Sequence, residues 1–238
     1  MSELEINREK LAYQPAQFVL HERAAALAGG VAQRVVELAA QAISMRGEFR
    51  LALAGGETPR RCYEQLRYLP IDWSHVQIFF GDERCLPAGH EQRNDTMAFS
   101  ALLDHVAIPP KHIHTIAAER GADDAARLYA GLLNRYAPLD LVLLGMGEDG
   151  HTASLFPGKP ATEQNDAVVA VFDAPKPPPQ RVSLGMSTLQ QARHRIFLVA
   201  GAGKRAALQA IVNGARLPAA RVGLAEYHVD NAAMPQVY

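Results

Sequence analysis

The sequence predicts an α/β fold built on a mostly parallel sheet, and three observations predict it. Short apolar runs recur along the chain and each ends in a glycine or a turn, as strands buried on both faces do. Segments with helical apolar spacing alternate with them. Three of the runs lead into glycine-bearing loops, AGGETP, GMGEDG and GAGK. Sheets of this class bind ligands just beyond the carboxyl ends of their strands.

Taken in order, Ala24, Leu27, Val31, Val35, Leu38 and Ala42 fall at steps of three and four. They predict an amphipathic helix over 22–46, weakened locally by Gly29-Gly30. Phe49 to Ala54 is a short strand ended by Gly55-Gly56. Thr58-Pro59 then supplies an N-cap and a first-turn proline for a helix to about Tyr68. His75 to Phe80 is a second buried strand, stopped by Gly81-Asp82-Glu83-Arg84. Pro87, Gly89 and Asn94 mark 85–95 as loop, and helices follow at 95–104 and 122–136. Leu139 to Leu144 is a third strand, interrupted only by Asp140, and Ala167 to Phe172 a fourth.

APKPPPQ, at 174–180, favours an extended polyproline conformation. Too few residues follow it for an independent doubly wound unit, so it reads as a loop crossing one domain that spans 1–238. Arg195 to Ala200 is a further strand, Ala202 to Val212 a helix, and a last strand lies near Arg221 to Tyr227.

Composition narrows the function. The 238 residues are 48% hydrophobic, enough for a sizeable core. Lys and Arg total 24 against 25 Asp and Glu, a net charge of -1. That balance points to neither nucleic acid nor an anionic membrane as partner. Cys62 and Cys85 lie outside any C-x-x-C or zinc spacing, so a reduced, cytoplasmic setting is expected. MSELEINREK lacks the apolar core of a signal peptide, and no run of about 18 apolar residues suggests a membrane span.

The chemistry concentrates in LDLVLLGMGEDGHTASLFPG, at 139–158. His151 is the candidate general base, since an imidazole is matched to proton transfer near neutral pH. His75, His112 and His114 read as structural or exposed; His151 differs in following a Gly-Asp-Gly turn at a strand end. Gly145, Gly147 and Gly150 fit the glycine pattern of a dinucleotide fingerprint, but Glu148, Asp149 and His151 are poor neighbours for a pyrophosphate. None of the three loops has P-loop spacing.

Alone, Gly55-Gly56 is a tight turn; three such loops in one α/β chain point to a phosphate-bearing ligand. Lys204 alone is a solvated charge, electrostatically misplaced at a helix start, and a bound phosphate would explain it. Asp82 and Glu83 either cap the following turn or orient a catalytic group, with Arg84 contacting an anion. Asp149 and His151 could share a metal, but no second His or Cys cluster completes a set, so none is expected. Ser154 lacks the G-x-S-x-G elbow of a serine esterase.

LALAGGETP (51–59), FFGDERCLP (79–87), the 139–158 segment and VAGAGK (199–204) together resemble the 6-phosphogluconolactonase family. Weaker matches lie around Asn94, at Arg181-Val182-Ser183-Leu184 and at Asp230-Asn231-Ala232-Ala233. The resemblance implies a Rossmann-like sheet flanked by helices, shared with glucosamine-6-phosphate deaminases and ribose-5-phosphate isomerases. It implies a single lactonase domain that hydrolyses 6-phosphoglucono-δ-lactone in the oxidative pentose phosphate pathway. No metal or organic cofactor is implied. The expected partner is a small sugar-phosphate lactone, and the expected state a monomer or weak homodimer.

On this reading His151 activates water, and either Asp82 or Asp149 fixes its tautomer. Backbone amides of 145–150 hold the oxyanion. Gly55, Gly56, Thr58, Arg84, Arg181 and Lys204 hold the phosphate. Ala54 and Glu57 stand where the family usually has serines. Two rivals remain: an amino-sugar-phosphate deaminase or isomerase of the same fold, and a sugar-phosphate-binding protein without turnover. The deaminases resembled carry Asn-Glu-Pro-Gly after Asp-Gly-His; here the stretch is Ser154-Leu155-Phe156-Pro157-Gly158, without the glutamate.

Overall fold

The computed structural model describes residues 16–235, and the polar N-terminal decapeptide lies outside them. Among the described residues the strands, in chain order, are β1 (Ala16–His21), β2 (Phe49–Leu53), β3 (Val76–Phe80), β4 (Asp82–Arg84), β5 (Leu141–Gly145), β6 (Val168–Val171), β7 (Arg181–Leu184), β8 (His194–Val199) and β9 (Ala225–Asp230). The helices are α1 (Ala24–Arg46), α2 (Glu57–Leu66), α3 (Asn94–Ala101), α4 (Ala122–Leu133), α5 (Pro160–Glu163), α6 (Met186–Gln191), α7 (Arg205–Val212) and α8 (Pro218–Arg221).

Six strands hydrogen-bond in the order β1-β9-β8-β5-β2-β3, every neighbouring pair parallel. Leu51, Ile78, Leu143 and Phe197, one from each of β2, β3, β5 and β8, are all 0% exposed. Apolar side chains on both faces of a strand demand cover on both faces, and helices supply it. The stripe Leu27, Val31, Val35 and Leu38 is the buried face of α1, each such side chain contributing about 1.5–3 kcal/mol over exposure.

Connectivity decides where a ligand can sit. From β2 the chain moves outward to β3, then returns to β5 and continues to β8 and β9 on the other side. The order therefore reverses between β2 and β5. Their carboxyl-end loops leave in opposite directions and open a crevice. The Tyr63 hydroxyl fixes one rim, donating to the Ala54 carbonyl and accepting from the Ala54 N–H, both at 2.8 Å. Tyr129 does the same for Phe80, accepting from its N–H at 2.8 Å and donating to its carbonyl at 3.2 Å.

Several expectations need correction. Gly-Asp-Glu-Arg does not simply stop a strand: Asp82–Arg84 form β4, which pairs antiparallel with β7. Glu83 does cap, but non-locally. Its carboxylate accepts the N–H groups of Asn94 and Asp95, at 2.8 and 2.9 Å, at the start of α3. The strand expected at 167–172 leaves the parallel sheet, because β6 pairs antiparallel with β7 in the order β4-β7-β6. The proline-rich stretch is consequently the tip of a β6–β7 hairpin and not a crossing loop.

Gly56, not Thr58, caps α2. Its φ of 104° suits glycine, and no side chain bonds the helix end. The last strand, Ala225–Asp230, lies four residues later than expected at its start, because Pro218–Arg221 make α8. Ala16–His21 and Arg181–Leu184, which no sequence pattern marks as strands, form β1 and β7. No helix among the described residues is long and apolar enough to cross a membrane.

Candidate active site

The loops after β2, β3, β5 and β8 converge on a cavity of about 550 Å³ at the carboxyl edge of the parallel sheet. All nine residues singled out from the sequence line it: Gly55, Gly56, Thr58, Asp82, Arg84, Asp149, His151, Arg181 and Lys204. The small antiparallel sheet forms a second wall, contributing Asp82 and Arg84 from β4, Arg181 from β7, and Lys176 from the hairpin tip.

The turn after β5 is built to present one imidazole. The Gly147 N–H donates to the His151 carbonyl at 2.8 Å, and the Gly150 N–H to the Gly147 carbonyl at 3.1 Å. Thr152 Oγ1 donates to the Gly145 carbonyl at 3.0 Å. Asp149 Oδ1 meets His151 Nδ1 at 2.5 Å and accepts the His151 N–H at 3.2 Å. Burial pushes the Asp149 carboxyl up, but the bonds from the His151 N–H and imidazole outweigh it, and it stays below the usual carboxylate range. A β-carbon on Gly147 would come within 2.0 Å of His151 Nδ1, so no larger residue fits beneath the pair.

Asp82 has other partners. Its Oδ2 accepts from Ser154 Oγ at 2.6 Å and its Oδ1 from Asn94 Nδ2 at 3.0 Å. The Asn94 side chain also donates to the Asp82 carbonyl at 2.9 Å and packs directly on Gly55. Asp82 thus ties the loop after β2, the start of α3 and the segment after His151 into one buried unit. Of the two acids weighed for the imidazole, Asp149 is the one bonded to it.

The cations lie apart from this pair. Arg84 and Arg181 are register partners across β4 and β7. Arg181 is buried, its guanidinium donating to the carbonyls of Pro178 and Lys176 at 3.1 and 2.8 Å. Burial lowers its hold on the proton, partly offset by Asp82 and reinforced by Arg84. Arg84 reaches the Gln92 carbonyl, while its Nε is buried without a partner among the described residues. Lys204 stands at the start of α7, after a loop held by Asp230, whose Oδ1 accepts the Gly201 N–H at 3.0 Å.

Glu57 does not confront an anion with a bare charge. Arg60 and then Arg61 hydrogen-bond its carboxylate and pull its carboxyl down to about 2.

Sequence reasoning missed four residues of the wall. Lys176 carried one available signal, a lone lysine inside a stiff proline run. Glu148 lies against Gly203 of the third loop. Asn94 lies at a weak family match and Phe156 inside the 139–158 segment, but it is tertiary packing that brings both side chains into the site. Among the described residues, no cluster of three or more His, Cys, Asp or Glu is placed to hold a metal.

Comparison with known proteins places this geometry in a family. The profile described as Glucosamine-6-phosphate isomerases/6-phosphogluconolactonase matches residues 22–230. The 6-phosphogluconolactonase of Mycobacterium tuberculosis is 39% identical over 207 residues, 79% of this chain and 83% of its own. A crystal structure of 6-phosphogluconolactonase from Thermotoga maritima superposes with a TM-score of 0.85 at 25% identity, covering 91% of this chain and all 100% of that one. A monomeric glucosamine-6-phosphate deaminase, at 19% identity and a TM-score of 0.79 over 91% of this chain and 98% of its own, shares the fold alone.

Proposed function

The chain belongs to the glucosamine-6-phosphate isomerase/6-phosphogluconolactonase family, and from that premise we infer that it hydrolyses 6-phospho-D-glucono-1,5-lactone to 6-phosphogluconate, a step of the oxidative pentose phosphate pathway. One observation carries the reading. His151, held by Asp149 at 2.5 Å, shares its cavity with Arg84, Arg181, Lys176 and Lys204. A base and a group of cations in one cavity suit a substrate with an ester to cleave and a phosphate to hold.

In this reading His151 Nε2 takes a proton from water as the water oxygen bonds to the lactone carbonyl carbon. The carbonyl electron pair moves onto its oxygen. On collapse the bond from that carbon to the ring oxygen breaks, and the imidazolium returns the proton to the departing ring oxygen. General-base catalysis of this kind contributes about 10²–10⁴-fold. Asp149 keeps the proton on Nδ1 and stabilises the imidazolium. The Gly147 and Gly150 amides are used within the turn, so in this reading the oxyanion is held by other backbone N–H groups of the 145–150 segment.

Arg84, Arg181, Lys204 and the Gly55-Gly56-Thr58 loop hold the phosphate, and that remote binding energy positions the lactone. Asp82 shapes the site through Ser154 and Asn94. Hydrolysis is favoured over deamination because the stretch after Asp149-Gly150-His151 has no glutamate, and its Phe156 sets a phenyl ring against the imidazole. We read the chain as a single domain acting in the cytosol, as a monomer or weak homodimer.

The test uses freshly prepared lactone and follows acid release with a pH indicator. Release well above the spontaneous rate is expected. Release at the background rate overturns the reading, and ammonia released from glucosamine 6-phosphate would replace it with the deaminase.

A further inference from the structure

The aromatic ring beside the candidate base belongs to Phe156. Its centroid lies 4.5 Å from that of the His151 imidazole, the two planes tilted by 43°. The Arg181 guanidinium carbon lies over the same ring, 5.6 Å from its centroid. Phe156 is 2% exposed and lines the cavity. One phenyl ring therefore touches both the group read as the base and one of the groups read as holding the phosphate.

The backbone that carries the ring is held from several sides, and the ring itself is buried. The Phe156 carbonyl accepts from Thr162 Oγ1 at 2.6 Å and from the Lys159 N–H at 3.3 Å. The preceding turn is closed by the Leu155 N–H on the Thr152 carbonyl at 2.9 Å. Arg181 is fixed in turn by the carbonyls of Pro178 and Lys176. A ring in a fixed place offers the imidazole a flat wall but no hydrogen-bond acceptor. Asp149 engages Nδ1, and the wall restricts rotation of the imidazole, so Nε2 stays available to a water.

We propose that Phe156 is a positioning residue: it holds the His151 imidazole on Asp149 with Nε2 free. The proposal rests on the reading of His151 as general base. The ring acts through the histidine and not on the substrate. Its removal therefore lowers kcat and spares KM, since a small error in the placement of a reacting group costs rate more than affinity.

The experiment compares Phe156→Leu, Phe156→Tyr and His151→Ala with the wild type, using steady-state kinetics on the lactone and thermal melts. Phe156→Leu keeps an apolar side chain and loses the flat ring. It is expected to lower kcat on the order of ten-fold with KM within about two-fold. Phe156→Tyr keeps the ring and is expected to retain most of kcat. Nuclear magnetic resonance should show a ring-current shift on the His151 Cε1 proton in the wild type and in Phe156→Tyr, lost in Phe156→Leu. If Phe156→Leu does not fold, Phe156→Met, which fills a similar volume without a ring, carries the same prediction.

An unchanged kcat in the ring-less variant overturns the proposal. So does an equal loss in Phe156→Leu and Phe156→Tyr, or a loss that appears in KM. His151→Ala separates the two levels: if it leaves kcat unchanged, the reading of the base fails, and if it abolishes turnover while Phe156→Leu does not lower it, only the role of Phe156 fails.

Discussion

Arg84 and Arg181 face each other as register partners across the antiparallel strands β4 and β7, two like charges in one wall of the cavity. Like charges directly opposite destabilise a strand pair, and Arg84 Nε is buried without a partner among the described residues. An arrangement that is unfavourable empty becomes favourable around a dianion. Arg84→Met is expected to raise KM for the lactone on the order of ten-fold or more, the value of a charged hydrogen bond, with a smaller change in kcat. Inorganic phosphate should raise Tm of the wild type and fail to do so in the variant.

Asp149 supplies a pH dependence whose sign follows from its hydrogen bonds. Those bonds hold its folded pKa below the ordinary carboxylate value. Its contribution to stability is then present above the unfolded value of about 3.9 and is lost as pH falls through the folded value. The stability gap between wild type and Asp149→Asn should accordingly shrink as pH is lowered from about 6 to about 3. The gap is small at any pH, because the Asp149 side chain is 45% exposed. The kinetic effect is larger: Asn in place of Asp149 disfavours the productive tautomer, and kcat should fall by about 10²-fold or more.

Gly147 tests whether the turn presents the imidazole or merely tolerates it. An added β-carbon would lie 2.0 Å from His151 Nδ1 and 2.4 Å from Asp149 Oδ1. Gly147→Ala must therefore displace the pair. Circular dichroism should show a folded protein, and the assay a kcat reduced about as far as in Asp149→Asn.

Much of this was legible in the sequence, for identifiable reasons. β2, β3, β5 and β8 are buried on both faces, so they appear as continuous apolar runs. The loops that follow them carry glycines because the backbone turns sharply or approaches a neighbour closely there. What escaped notice depends on distant residues. β4 is only three residues long and β7 only four, and both owe their conformation to their pairing. Glu83 caps a helix eleven residues away.

The same limit applied to the acids. Asp82 and Asp149 looked equivalent beside His151, because sequence shows that each follows a strand and not which carboxylate reaches the ring. Packing separates them: Asp149 bonds the imidazole, and Asp82 bonds Ser154 and Asn94. Phe156 is legible only as part of the Ser154–Gly158 stretch that sets this chain apart from the deaminases; its contact with the imidazole is made by packing.

The central claim is that His151 removes the proton from the attacking water, and the kcat of His151→Ala on fresh lactone tests it most directly. His151→Ala is expected to lower kcat about 10²–10⁴-fold with KM changed little. A variant that turns over at the wild-type rate would contradict it.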